Sequence, residues 1–258
     1  MKFKDFLNEK EYSNGQYKTE ISLEDAIHII KTKCKKVDIH KPFWRGMKGG
    51  GNDAYIFKGE NGNRKSSDLD FGNYYTVILD HFIKKQNPRN PLRSASIICA
   101  NTANYKHIKH FGNNRYAIFP YDTTIVGYVN GADIWQSEIK FPNGEVGLYD
   151  FNGMLYKAST TKHSVRQDTF EHIVEDIQFI ISMDEKDRNK YQNYIHKMFG
   201  GDPDNVEEYL KKLFDKDGPI YFFGDSSEDD SAEREVWIGA ECIAIKESVY
   251  KEILKELE

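Results

Sequence analysis

The sequence predicts an α+β fold, a mixed and mainly antiparallel sheet core interrupted by a helical insertion. Two observations lead there. Short apolar or alternating runs at residues 42–47, 95–100, 115–120, 220–223 and 235–245 read as strands. Residues 164–215, lying between them, switch to helical periodicity in three pieces. A single domain over 1–258 is expected, with an N-terminal helical segment at 1–38 and the insertion at about 160–216. Each inserted helix has one apolar face, which suits either a separate lobe or packing on the sheet.

The elements follow from local signals. Ser22 caps a helix over 22–36, Asp25 takes the capping-box position, and Ile21 can staple onto Ala26. The apolar face of that helix is Leu23, Ala26, Ile27, Ile30 and Cys34. A strand at 42–47 runs into the loop 48–53, which is rich in glycine. Residues 73–85 read as a second helix, and Pro88 and Pro91 force an extended approach to the strand 95–100. A short helix at 102–111 is stopped by Gly112, and 115–120 alternates as a strand. Asn152-Gly153, between two apolar runs in 144–158, predicts a hairpin. Phe170, Ile173, Val174, Ile177 and Ile181 line the first inserted helix, Gly200-Gly201 ends the second, and Asp202-Pro203 opens the third. An acidic loop, 224–231, separates the last strands, and 248–257 closes the chain as a helix.

Composition narrows the function classes. A net charge of −5 over 258 residues argues against a protein that wraps nucleic acid. Three widely spaced cysteines form neither a zinc pattern nor a disulfide framework, so buried thiols in a reducing cytoplasm are expected. No apolar run approaches the roughly 18 residues of a membrane span, and the charged N-terminus is no secretion signal. His107 and His110 lack a third ligand, Asp68-Leu69-Asp70 lacks a nucleotide motif, and Gly49-Gly50-Gly51 lacks the lysine of a phosphate loop. No metal is therefore expected.

Three segments carry chemistry. In Phe43-Trp44-Arg45-Gly46 an arginine interrupts an apolar strand; its planar fork suits a pyrophosphate, and Gly46 admits close approach. In Arg93-Ser94-Ala95-Ser96, serines two apart on a strand share a face and could hold a ribose or orient a carboxylate. In Glu233-Arg234-Glu235-Val236-Trp237, two carboxylates on one face repel unless they meet water, a cation or a substrate cleft. Each segment also has a plain structural explanation: an edge arginine in water, ordinary serines after Pro91, a solvated strand edge.

Taken in order, arginine, Ser-x-Ser and Glu-x-Glu resemble the arginine–serine–glutamate branch of the mono-ADP-ribosyltransferases. The stretches 64–68, 93–101 and 116–122 are also similar to tailed-phage proteins of this type. Ala95 departs from the family's middle threonine, which leaves either Ser94 or Ser96 as the principal serine. The resemblance spans about 40–135 and 220–246 and implies an ADP-ribosyltransferase-like sheet core with NAD as the consumed substrate. Arg45 and Gly46 would bind the phosphates, Ser94 and Ser96 the nicotinamide ribose. Glu235 would stabilise the oxocarbenium-like centre, and Glu233 would orient or deprotonate the nucleophile. It further implies a phage or toxin effector with a macromolecular acceptor, a protein being favoured slightly over nucleic acid, and an inhibitor or antitoxin as partner. An NAD glycohydrolase and a non-catalytic interaction protein are the alternatives.

Overall fold

The computed structural model describes residues 18–47, 51–58, 74–108, 112–158, 165–212, 221–224 and 232–258. In chain order the elements are β1 (Lys18–Glu20), α1 (Leu23–Lys33), β2 (Phe43–Met47), β3 (Ala54–Phe57), α2 (Tyr74–Gln86), β4 (Ile97–Ala100), α3 (Tyr105–Ile108), β5 (Asn114–Pro120), β6 (Val126–Val129), β7 (Glu138–Phe141), β8 (Gly144–Gly147), α4 (Leu148–Ala158), α5 (Phe170–Ser182), α6 (Lys190–Met198), α7 (Val206–Lys211), β9 (Tyr221–Gly224), β10 (Glu235–Ile238), β11 (Cys242–Lys246) and α8 (Glu247–Leu257). Among these residues no helix is long and apolar enough to cross a membrane.

The chain divides into two compact units, one of residues 1–67, 87–132 and 221–258, the other of 68–86 and 133–220. This division is wider than the insertion expected at about 160–216, because α2, the β7–β8 hairpin and α4 belong with the helices.

The first unit holds a nine-stranded sheet in the order β1-β3-β11-β5-β2-β4-β10-β6-β9. Every neighbouring pair in it is antiparallel. Alternation sorts its side chains into two layers. Trp44, Ala100, Ala117, Phe119, Ile243 and Ile245 pack with Ala26 and Ile30 of α1, with Cys34 at its C-terminal cap, and with Tyr250, Ile253 and Leu257 of α8. Phe43, Met47, Tyr55, Cys99, Tyr116, Ile118, Val236 and Cys242 form the opposite layer. That second face is concave. Strands three places apart in a flat sheet lie about 14 Å from one another. The rings of Phe43 on β2 and Tyr128 on β6 are nevertheless only 6.1 Å between centroids. The sheet is rolled around this layer.

The same curl explains why residues 235–245 are not the single strand expected. β10 and β11 lie four places apart in the sheet, about 19 Å if it were flat. The residues joining Ile238 to Cys242 can span only about 14 Å, so the rolled sheet brings the strand ends within reach. Gly239 permits the exit: a Cβ there would lie 2.6 Å from Cβ of Pro91.

Other expectations change as well. The N-terminal segment contributes strand β1 as well as helix α1, and residues 1–17 lie outside the described ones. The cap on α1 is as expected, with Ser22 Oγ accepting from the Asp25 amide at 3.0 Å. Of the helix at 102–111, α3 covers Tyr105–Ile108. All three cysteines are buried free thiols. Burial, helped by Asp122, pushes the Cys34 thiol up to about 12.

In the second unit the Asn152-Gly153 hairpin is overturned, because both residues sit inside α4. Leu148, Phe151, Leu155 and Ala158 repeat with helical spacing and are fully buried, so the gain from burying that face outweighs the turn preference. Asn152 Oδ1 accepts from the Tyr75 amide at 3.3 Å. The true hairpin is β7–β8, turning through Pro142-Asn143 into Gly144, whose φ of 139° excludes most side chains. Gly200 and Gly201, at φ of 69° and 73°, end α6 as expected.

Candidate active site

Glu235 opens β10, and the backbone around it is tied down on both sides. Its amide donates to the Gly131 carbonyl at 2.8 Å. The residue is only 6% exposed. Trp237 lies two residues on and therefore shares its face; its indole Nε1–H donates to Glu235 Oε1 at 2.7 Å. Arg93 Nε stands 3.5 Å from the same oxygen, an ion pair between two buried side chains. The carboxylate is thus held in one orientation by an indole and beside a guanidinium.

Glu233 is exposed, immediately ahead of the strand, so the two acids expected to share an environment are divided between solvent and interior. Arg234, between them, pairs through Nη1 with Oδ1 of Asn130.

The serines are not on a strand. Residues Arg93–Ala95 form a 3₁₀ turn and β4 starts at Ile97. Leu92 is extended, and the turn is closed by the Ala95 amide on the Leu92 carbonyl at 3.1 Å. The Ser96 hydroxyl donates to that carbonyl at 2.6 Å. Ser94 and Ser96 are both buried. The expected same-face pair is replaced by a tight turn, whose geometry delivers Arg93 to Glu235.

Arg45 is separated from Glu235 by the pleat. The β10–β4 register sets Glu235 opposite Ala100, and the β2–β4 register sets Trp44 opposite Ala100. Glu235 therefore shares a face with Trp44, and Arg45, the next residue, takes the other face between Phe43 and Met47. The register sets Arg45 and Glu235 on opposite pleats, and the guanidinium that stands against Glu235 is that of Arg93. Arg45 has a structural task. The β2–β4 ladder contains the one pair Trp44–Ala100, and beyond it Arg45 Nη1 donates to the Ile98 carbonyl at 2.7 Å, satisfying an acceptor of the opened ladder. Gly46 continues β2 opposite Arg115 on β5.

Four contributors lie outside the set expected from the three segments: Trp237, Arg93, Asn101 and Asn104. Trp237 was legible from its spacing to Glu235. Arg93 stands in the sequence only as the flank of the serines. Asn101 and Asn104, each 1% exposed, follow an apolar strand and look like ordinary turn residues. The residues 225–231 of the acidic loop, the stretch 59–73 with Asp68 and Asp70, and the side chains of His107 and His110 lie outside the described ones. Compared with known proteins, the chain matches no family model, no curated protein and no solved structure.

Proposed function

We propose that the chain cleaves NAD and transfers ADP-ribose to a macromolecule, with Glu235 at the reacting ribose. The observation that supports this is the carboxylate oxygen of Glu235 fixed between the Trp237 indole and Arg93, with the exposed Glu233 two residues before it. In such a reaction the bond from nicotinamide nitrogen to ribose C1′ breaks and nicotinamide leaves with the electron pair. The cationic ribose centre is stabilised by a preorganised anion, which costs no reorganisation as charge develops. The acceptor attacks C1′ and its proton passes to Glu233. This reading assigns Arg45 no contact with the substrate. The net charge of −5 favours a protein acceptor over nucleic acid. With water as acceptor, the same site is an NAD glycohydrolase.

A second reading has its own support. Glu235 and Arg93 are both buried, and buried ion pairs also serve as purely structural elements. The separation of Arg45 from Glu235 favours this non-catalytic alternative.

The test is incubation with NAD labelled in its adenylate phosphate and a cell lysate, followed by protease or nuclease. Transfer leaves label on macromolecules, hydrolysis leaves free ADP-ribose, and Glu235→Gln abolishes both. A wild-type protein that releases no nicotinamide leaves the structural reading.

A further inference from the structure

We infer that Asn101 and Asn104 are positioning residues that set the register in which Glu233 and Glu235 are presented. For its kinetic consequence this rests on the reading of Glu235 given above.

β4 ends at Ala100, opposite Glu235, and the next pair along the same ladder is Asn101 with Arg234. Half of that pair is ordinary backbone, since the Asn101 amide donates to the Arg234 carbonyl at 3.2 Å. The return bond cannot form in the usual way. The chain turns after Asn101, whose carbonyl accepts instead from the Asn104 amide at 3.1 Å. The side chain supplies the missing acceptor: Asn101 Oδ1 takes the Arg234 amide at 3.0 Å. At its other end Asn101 Nδ2 donates to the Ala232 carbonyl at 2.6 Å. One amide side chain therefore imitates a peptide group and extends the ladder across residues 232–234. Asn104 adds Nδ2 bonds to the Ala132 carbonyl at 2.8 Å and the Arg234 carbonyl at 3.3 Å.

The task requires an acceptor and a donor on one short, planar group. A carboxylate lacks the donor and a hydroxyl cannot span the two sites. The result is that the exposed Glu233 and the buried Glu235 are held on either side of a backbone segment that a strand alone would not have fixed. A displacement of the reacting group by about 1 Å is enough to cost about 100-fold in rate.

The experiment uses the full chain and the variants Asn101→Ala and Asn104→Ala. Asn101→Ala removes both the acceptor of the Arg234 amide and the donor to the Ala232 carbonyl; Asn104→Ala loses the two Nδ2 bonds alone and is the milder change. Backbone hydrogen exchange is followed at Arg234 and Glu235, with Ile118 of β5 as a reference, beside steady-state nicotinamide release. The expected result is roughly tenfold faster exchange at Arg234 with Ile118 unchanged. A fall in kcat approaching about 100-fold with KM for NAD within a few-fold accompanies it. Unchanged exchange at Arg234 in a folded variant overturns the clamp. Faster exchange with unchanged kcat overturns the positioning role. If the wild-type chain releases no nicotinamide, the proposed function falls, and the exchange data alone decide whether the asparagines hold the segment.

Discussion

Trp237 donates its indole N–H to Glu235 two residues earlier on the same strand, and both side chains are buried. Replacing Trp237 by Phe keeps most of the ring and removes only the donor. The carboxylate then loses a buried charge-assisted bond, and we expect a loss of about 1–3 kcal/mol in stability by urea denaturation. A loss no larger than a few tenths of a kcal/mol would show that water replaces the indole.

Arg93 and Glu235 should be coupled. Their contact, 3.5 Å from Nε to Oε1, is long for a hydrogen bond but lies between side chains that are 8% and 7% exposed. Arg93→Met leaves a buried carboxylate beside an apolar group and should cost about 3 kcal/mol. In the double variant with Glu235→Gln the costs should sum to clearly less than the two single losses. Additive losses would mean that the two charges do not act on one another.

Arg45→Lys addresses the face assignment. A lysine cannot reproduce the planar fork that meets the Ile98 carbonyl, so stability should drop by about 1 kcal/mol. NAD affinity, measured by titration without acceptor, should change by less than about tenfold, or 1.4 kcal/mol. A larger loss would place Arg45 back at the substrate despite the pleat.

The second unit should weaken in mild acid through His81. Its ring stacks on Phe170 at 3.8 Å between centroids. Burial, and then Lys85, hold its pKa below the usual 6.5, against the pull of Glu171 and Glu207. A histidine with a folded pKa below its unfolded value binds protons more readily once unfolded. Its contribution is therefore complete above about pH 6.5 and is lost as pH falls toward the folded value. Melting curves of wild type and His81→Phe between pH 7.5 and 5.5 should diverge, the variant losing less. Parallel curves would remove His81 from the acid response.

Local chemistry was legible wherever the determinants are neighbours in sequence. Ser22 and Asp25 start α1 at the expected place, Gly200-Gly201 ends α6, and Phe43–Met47 is a strand as its composition indicates. These signals act over three or four residues, and no distant part of the chain has to agree. The Asn152-Gly153 turn failed because its local preference conflicts with a helical apolar face that finds burial only in the folded unit.

By itself the sequence determined the α+β class, the antiparallel character of the sheet, and the individual segments around Arg45, Ser94 and Glu235. Only the tertiary structure decided which of them meet. A strand's two faces are set by pairing register, and register depends on partners 56 residues (Trp44 to Ala100) and 135 residues (Ala100 to Glu235) along the chain. One step in that register carries a side chain to the opposite face. Arg45 and Glu235 were set on opposite pleats in this way, while a 3₁₀ turn brought Arg93 to the carboxylate beside Trp237 and the two asparagines continued the ladder along the backbone of residues 232–234.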